Sequence, residues 1–346
     1  MKFSFDRLRS FIVDVLVSVD VLRSHAAITA DRMLEADLRG RTGHGLIRLP
    51  PYVTRIEAGG INLRPNIRTL RDTPVSNLID GDNGLGQVVM TMAVETATEK
   101  AASAGMAWVG TVRSNHAGAG GVYTSLAVKH DLVAMYMAVG SVNVMPPWGG
   151  KGRLLGTNPI AIAIPAREEG TFELDIATTV ASHGTIKVMA QAGQPLPEGW
   201  VVDARGGSIT DPARADDGYL MPIGGHKGSG LTMAIGLLAG VLNGAAFGAD
   251  VIDHGAIHDQ AANTGQALFV MDPGLFQDRD LFKSAVDHHL REMREAGGPG
   301  AVHIPGDGPA RLQAKQMSEG VSVPETLLSQ LRRLSQRLRL DDRLDI

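Results

Sequence analysis

The chain has 346 residues, 44% of them hydrophobic, enough to fill one large core or two ordinary ones. Its 33 basic and 37 acidic residues give a net charge of -4 and form no basic stripe, so nucleic acid and anionic membrane surfaces are not expected partners. The absence of cysteine excludes a disulfide framework, a thiolate zinc site and a cysteine nucleophile, and suits a cytoplasmic protein.

The first residues, MKFSFDRLRS, lack the apolar core of a signal peptide, and no export is expected. Helical patterns follow over Asp6 to Leu22 and Ala27 to Leu38, with Ser24 as a cap for the second and Gly40 as its stop. The stretch RTGHGLIRLPPYVTRIEAGGINLRP from Arg41 reads as loop, helix, loop, where Pro50 and Pro51 pre-set a helix start and Gly59 and Gly60 end it.

From Gly84 to Gly140 the pattern predicts a βαβ-like unit: helix (Gln87 to Ala104), strand (Met106 to Val112), glycine-rich turn, helix (Gly121 to Lys129), strand (Leu132 to Val139). Further strands are expected at Ile160 to Ile164, Phe172 to Ile176 and Leu268 to Met271, giving an α/β fold with a mixed sheet. Helices are expected at Leu281 to Glu295 and, with a leucine stripe under an arginine-rich face, at Pro324 to Leu340; Gly297 to Pro309 reads as loop. The uncharged stretch Gly228 to Ala249 has the length of a membrane span, but glycine and polar residues dilute it, so it is read as a buried small-residue helix.

Chemistry concentrates in a few loops. His116 lies in RSNHAGAGGVY, between a strand and a helix, where α/β proteins build sites, and its imidazole can exchange a proton near neutral pH. The glycines of this loop lack the spacing of a Rossmann fingerprint, and GGHKGSG, around Lys227, is not a P-loop, although Lys227 can meet a phosphate or ribose at a helix start. If HGLIR is helical, His44 and Arg48 share a face with Tyr52 one turn on, and a guanidinium suits a carboxylate. No histidine cluster has metal-ligand spacing: His254 and His258 lack the glutamate of H-E-x-x-H, and His288 and His289 are adjacent on a charged helix.

The segments DLRGRTGHGLIRLPPYVTRIEAGGIN, SNHAGAGGVY, PPWGGKGRLLGTNPIAIAIP, DIATTVASHGTIKV and GGHKGSGL, in this order, resemble the malate/L-lactate dehydrogenase family that is unrelated to the Rossmann enzymes. The resemblance implies a non-Rossmann nicotinamide-binding fold, NAD or NADP as cofactor, a small 2-oxo or 2-hydroxy acid as substrate, and a homodimer. It implies a helical substrate and dimer unit from residues 1–75 with 305–346, and an α/β cofactor unit from 76–304. By the same resemblance His116 is the acid/base and His44 a second catalytic histidine; Arg48, Thr157 and Asn158 contact substrate, to which the spacing of Tyr52 from Arg48 adds that tyrosine; and Ser141, Asp175, Ile176, Ala177, Lys227, Gly306 and Asp307 contact the cofactor.

The chain departs from the family at three places. Gly43 stands where the family has serine, His183 and Thr185 stand where it has arginine and lysine, and its later G-H pair reads Gly265, Gln266. Two other readings stay open beside the keto-acid enzyme: a cyclic imino-acid reductase, and a dimer that binds cofactor but has lost catalysis.

Overall fold

The structure, a computed structural model, describes residues 1–298 and 300–340, without the side chains of His183, Lys187, Val188 and Gln191. The chain opens with β1 (Lys2–Phe3), α1 (Phe5–Ser18) and α2 (Arg23–Leu38), then passes through two 3-10 turns, Thr42–His44 and Leu46–Arg48, into α3 (Leu49–Glu57). Next come β2 (Arg68–Thr73), β3 (Ser76–Gly84), α4 (Gly86–Ala104), β4 (Met106–Ser114), α5 (Gly120–Val128), β5 (Val133–Ala138), β6 (Ile160–Ile164) and β7 (Phe172–Ile176). The rest is α6 (His183–Gln191), β8 (Val201–Val202), β9 (Tyr219–Leu220), α7 (His226–Ala239), β10 (Gln266–Met271), α8 (Arg279–Glu295), α9 (Asp307–Glu319), β11 (Val321–Ser322) and α10 (Glu325–Arg337).

Seven strands form one mixed sheet in the order β2-β3-β4-β10-β5-β6-β7, with β3 and β4 parallel and every other neighbouring pair antiparallel. Successive strand residues face opposite sides. Leu268 and Tyr136 therefore pack with Met90 and Ala93 of α4 and Tyr123 of α5, while their neighbours Ala267 and Met137 pack with Ile235 and Ala239 of α7. A separate core unites the two ends of the chain: Leu8, Phe11 and Leu16 of α1 and Met33 and Leu34 of α2 close on Leu328, Leu331 and Leu334 of α10.

The pairings have a consequence for function. β3, β4, β5 and β7 all run one way, whereas β10 and β6 run the other, so one edge of the sheet collects the ends at Gly84, Ser114, Ala138 and Ile176 and the starts at Gln266 and Ile160. Residues following or preceding those points, His116, Ser141, Thr157 and Ala177 among them, are gathered there by topology alone.

Several expectations require correction. β4 and β5 are not neighbours in a βαβ unit, because β10 lies between them; the parallel crossover is β3-α4-β4. The region from Gly228 is not a buried helix throughout: α7 stops at Ala239, and Leu231, Leu237, Leu238, Val241 and Leu242 are exposed. The start of α2 has Leu22 as its cap and no side-chain cap bond, so Ser24 does not serve. Gly40 does follow the end of α2 in the left-handed region, with φ of 75°. α9 begins at Asp307, inside the stretch expected to be loop.

Candidate active site

β4 leaves the sheet at Ser114, and the next residues are fixed before α5 begins. Asn115, 3% exposed, donates from Nδ2 to the carbonyl oxygen and Oδ1 of Asn83 and to the Gly84 carbonyl, at 2.9, 2.9 and 3.0 Å. Gly86, at the start of α4, packs its backbone on this loop so closely that a Cβ there would lie 2.1 Å from the Asn115 carbonyl oxygen. The buried Arg55 of α3 donates to Asn115 Oδ1 at 3.2 Å and to the Gly60, Ile257 and Gln260 carbonyls, tying three loops together.

His116 emerges from this frame with Nδ1 2.7 Å from the Tyr52 hydroxyl. Its ring stacks on His44, with centroids 5.4 Å apart and planes 18° from parallel. Burial lowers the proton affinity of His116 well below that of a free histidine, and Arg48, His44 and His254 lower it further. The resting group is a neutral imidazole. His44 is likewise pushed down, to about 3, by burial and then by Arg48 and Arg41, and its Nδ1 is buried with no hydrogen-bond partner.

His44 and Arg48 do not share a helical face as the sequence suggested, since Gly45 breaks the segment into two 3-10 turns. They converge by another route. Arg48 Nε donates to the Gly43 carbonyl at 2.6 Å, and the buried Asp37 accepts the Leu46 N–H at 2.7 Å. Gly45 sits against that carboxylate, where a Cβ would fall 2.0 Å from Oδ1, and burial pushes the Asp37 carboxyl up to about 7. Gly43 lies beside Gly184, the residue between the departures His183 and Thr185: a Cβ at Gly43 would lie 3.7 Å from Gly184 Cα, an ordinary contact. Thr185 helps start α6 with Ser182, while the His183 side chain lies outside the described ones.

Other expected residues take varied places. Tyr52, expected at the substrate, has its hydroxyl between His116 and Gln87 Nε2, the latter at 2.8 Å. Asn158 is fully buried, with Oδ1 on the Gly140 N–H at 2.8 Å and Nδ2 on the Thr232 carbonyl at 3.0 Å, so both ends of its amide clamp the sheet to α7. Thr157 is partly exposed beside it, and its carbonyl accepts from Thr178. Ser141, Ile176 and Ala177 are partly exposed at the collected edge.

Asp175 lies at the N-terminus of α5, where it takes the Gly121 N–H and faces Arg41 at 3.6 Å; burial raises its pKa, and Arg41 and the N–H oppose the rise. A small hollow here is lined by Arg39, Arg41, Gly121, Glu173 and Pro309. Gly306 borders it with φ of 107° and its backbone packed on Thr171 and Glu173, and Asp307 is paired with Arg294 at 2.8 Å. Lys227 is exposed in the first turn of α7, whose approach is pinned to the end of β7 by the Ile223 N–H on the Thr178 carbonyl. Among the described residues the one group of clustered metal-donor side chains is His288, His289 and Glu292, exposed on α8 and outside this region.

Gln87, Asn115, Arg55 and Asp37 are the site's supports that sequence reading did not single out. The only local signal was a glutamine in the first turn of an otherwise apolar helix, GQVVM.

The family profile described as malate/L-lactate dehydrogenase matches residues 3–332. A malate/(S)-sulfolactate dehydrogenase of Methanothermus fervidus is 37% identical over 342 residues, 99% of each chain, and a ureidoglycolate dehydrogenase (NAD(+)) of Escherichia coli is 33% identical over 96% of this chain and 95% of its own. The solved sulfolactate dehydrogenase of Methanocaldococcus jannaschii superposes with a TM-score of 0.90 at 36% identity, covering 99% of this chain and 98% of that one. The chain belongs to the malate/L-lactate dehydrogenase family.

Proposed function

We propose that His116 is the acid/base of a reaction that exchanges a hydride with C2 of a small 2-hydroxy or 2-oxo acid. The chain is an NAD(P)-dependent oxidoreductase acting on hydroxy acids. The observation that carries our assignment of roles is the convergence of His116, His44, Arg48 and Tyr52 from separate segments on one point at the collected sheet edge.

In this reading Arg48 pins the substrate carboxylate with the guanidinium donors that its bond to Gly43 leaves over. His44, neutral at physiological pH, orients the acid by hydrogen bonding and does not exchange its charge. We assign Thr157, partly exposed at the same collected sheet edge, to the substrate as well. The substrate's negative charge offsets the field of Arg48 that disfavours imidazolium, so acid binding readies His116 to protonate the carbonyl oxygen; in reverse, the neutral ring accepts the hydroxyl proton.

The residues beside this point suit a nicotinamide dinucleotide. Gly306 offers backbone without a side chain, Asp175 and Asp307 are anchored carboxylates that still have lone pairs for ribose hydroxyls, and Lys227 at a helix start suits a phosphate. Ser141, Ile176 and Ala177 complete that wall. A dinucleotide bound there would take the hydride as NAD or NADP and supply it as NADH or NADPH.

We read the terminal helices as the substrate and dimer unit, residues 1–75 with 305–346, and residues 76–304 as the cofactor unit. A homodimer would extend beyond that unit and also cover the exposed Leu237, Leu238, Val241 and Leu242 of the cofactor unit. No helix among the described residues is long and apolar enough to cross a membrane; we place the enzyme in the cytoplasm.

The test is oxidation of NADH and of NADPH with pyruvate, oxaloacetate, sulfopyruvate and a cyclic imino acid. Turnover with a 2-oxo acid supports the reading; turnover with the imine alone, or with neither, refutes it.

A further inference from the structure

An acid/base histidine must hold its proton on the right nitrogen. His116 Nδ1 faces Tyr52, which leaves Nε2 for the substrate, so a ring that is to accept a proton at Nε2 has to keep its own on Nδ1. Tyr52 has a single hydroxyl hydrogen and two buried neighbours, His116 Nδ1 at 2.7 Å and the Gln87 amide at 2.8 Å. If the amide offers its nitrogen, the hydroxyl hydrogen must turn to Nδ1, and the proton of His116 is forced onto Nε2. If the amide offers its oxygen, the hydroxyl donates to Gln87, Tyr52 Oη accepts from Nδ1–H, and Nε2 is free to act.

The two ends of a carboxamide have nearly the same shape, so turning it over exchanges these states. Gln87 is 1% exposed, its Oε1 has no partner while its nitrogen faces Tyr52, and Gly118, where a Cβ would lie 3.9 Å from that nitrogen, presents no side chain to the amide. The groups that act on His116 from other segments, Arg48 and His44 from the 3-10 turns and His254 from the loop after α7, are all cationic or neutral, so no carboxylate among them does the orienting.

We infer that Gln87 is a positioning residue that sets, through Tyr52, which ring nitrogen of His116 carries the proton. The inference rests on the acid/base role of His116. In reduction the Nε2–H bond of the imidazolium breaks, its proton becomes the hydroxyl hydrogen of the product, and hydride adds to C2. In the working form the amide is turned over from the orientation in which its nitrogen faces the phenol, so that the Nδ1–H stays on Tyr52 throughout and the Tyr52 hydrogen stays on Gln87 Oε1. Burial pushes the Tyr52 hydroxyl up to about 12, so it redirects its hydrogen without losing it. A phenol and an amide thus orient the ring without adding negative charge, in keeping with a resting imidazole that is neutral.

The experiment is ¹⁵N NMR of the histidine rings in the full-length protein with cofactor bound, the His116 signals being identified by their loss in His116→Asn. Wild type is expected to show the Nδ1–H form, and Gln87→Met, which keeps the volume but not the hydrogen bond, the Nε2–H form. Turnover of Gln87→Met should fall about ten- to a hundredfold with KM moved by less than about twofold, and adding Gln87→Met to Tyr52→Phe should cost nothing more. An unchanged nitrogen pattern, or losses that multiply in the double variant, overturns the inference.

Gln87→Glu is the second variant: it accepts from Tyr52, keeps Nδ1–H and moves the midpoint of the kcat profile to higher pH, and an unmoved midpoint counts against the proposal. The ring-nitrogen pattern is read without turnover. A chain inactive on every acid but showing the tautomer exchange would therefore sink the reaction and uphold the positioning role.

Discussion

Gly86→Ala adds one methyl group at the point where α4 touches the catalytic loop. Its carbon would lie 2.1 Å from the Asn115 carbonyl oxygen and 2.7 Å from the His116 carbonyl carbon and oxygen, all backbone atoms, so no side chain can swing aside. An ordinary contact begins at 3.4 Å, and the loop and helix must part by more than 1 Å. Overpacking of this kind costs about 1–3 kcal/mol of stability, a loss that a chain of this size survives. Catalysis suffers more, because a displacement of about 1 Å at a reacting group costs about a hundredfold. Steady-state kinetics should show kcat down by that order, while dinucleotide binding, followed by nicotinamide fluorescence, stays near wild type because Asp175, Lys227 and Gly306 lie on other segments. Wild-type kcat in a folded Gly86→Ala protein would refute the claim that this contact sets the position of His116.

Asp37→Ala strips the Leu46 N–H of its buried acceptor and should destabilise the protein by about 1–3 kcal/mol in denaturant titration, with a raised KM for the acid because the His44–Arg48 turns loosen. Gly43→Ser restores the family's hydroxyl where there is room for its Cβ; the melting temperature should hold and KM for the acid should fall, and a destabilised variant would contradict the spacing between Gly43 and Gly184. pH dependence follows from the lowered His116: kcat/KM for reduction, which needs imidazolium, rises as pH falls through neutrality and goes on rising below the ordinary histidine value, whereas kcat/KM for oxidation is level above neutrality and is lost only at lower pH. His44, held near 3, and His254, held near 4, both lie below their unfolded value of 6.5, so the unfolded chain binds more protons and stability drops as pH falls below that value.

Much of the sheet could be read from local pattern, because apolar alternation and glycine punctuation coincide with the true element ends. β6 and β7 match their predicted ranges, and α4 stops at Gly105 with φ of 81°. β2 escaped because every residue in it is exposed, so no alternation marks it, and β3 escaped because SNLIDGDNG resembles a turn. Its buried Asp80 is held by Arg113, which arrives from β4, together with Arg68 of β2 and the Asp82 N–H, and the first of these lies outside any local window. α9 has no buried residue and hence no apolar stripe.

The site divided along the same line. His44, Arg48 and His116 were legible as motif residues, but their supports Asp37, Gln87 and Arg55 are ordinary in sequence and acquire meaning only where the chain folds back. Asn158 shows the converse: a motif residue whose amide serves the scaffold.

Replacing His116 with asparagine and measuring single-turnover hydride transfer from bound reduced cofactor to the preferred acid tests the account most directly. We expect the transfer rate to fall by about 10² to 10⁴ with dinucleotide affinity unchanged. A variant that transfers hydride at the wild-type rate would leave the imidazole without a role in the chemistry.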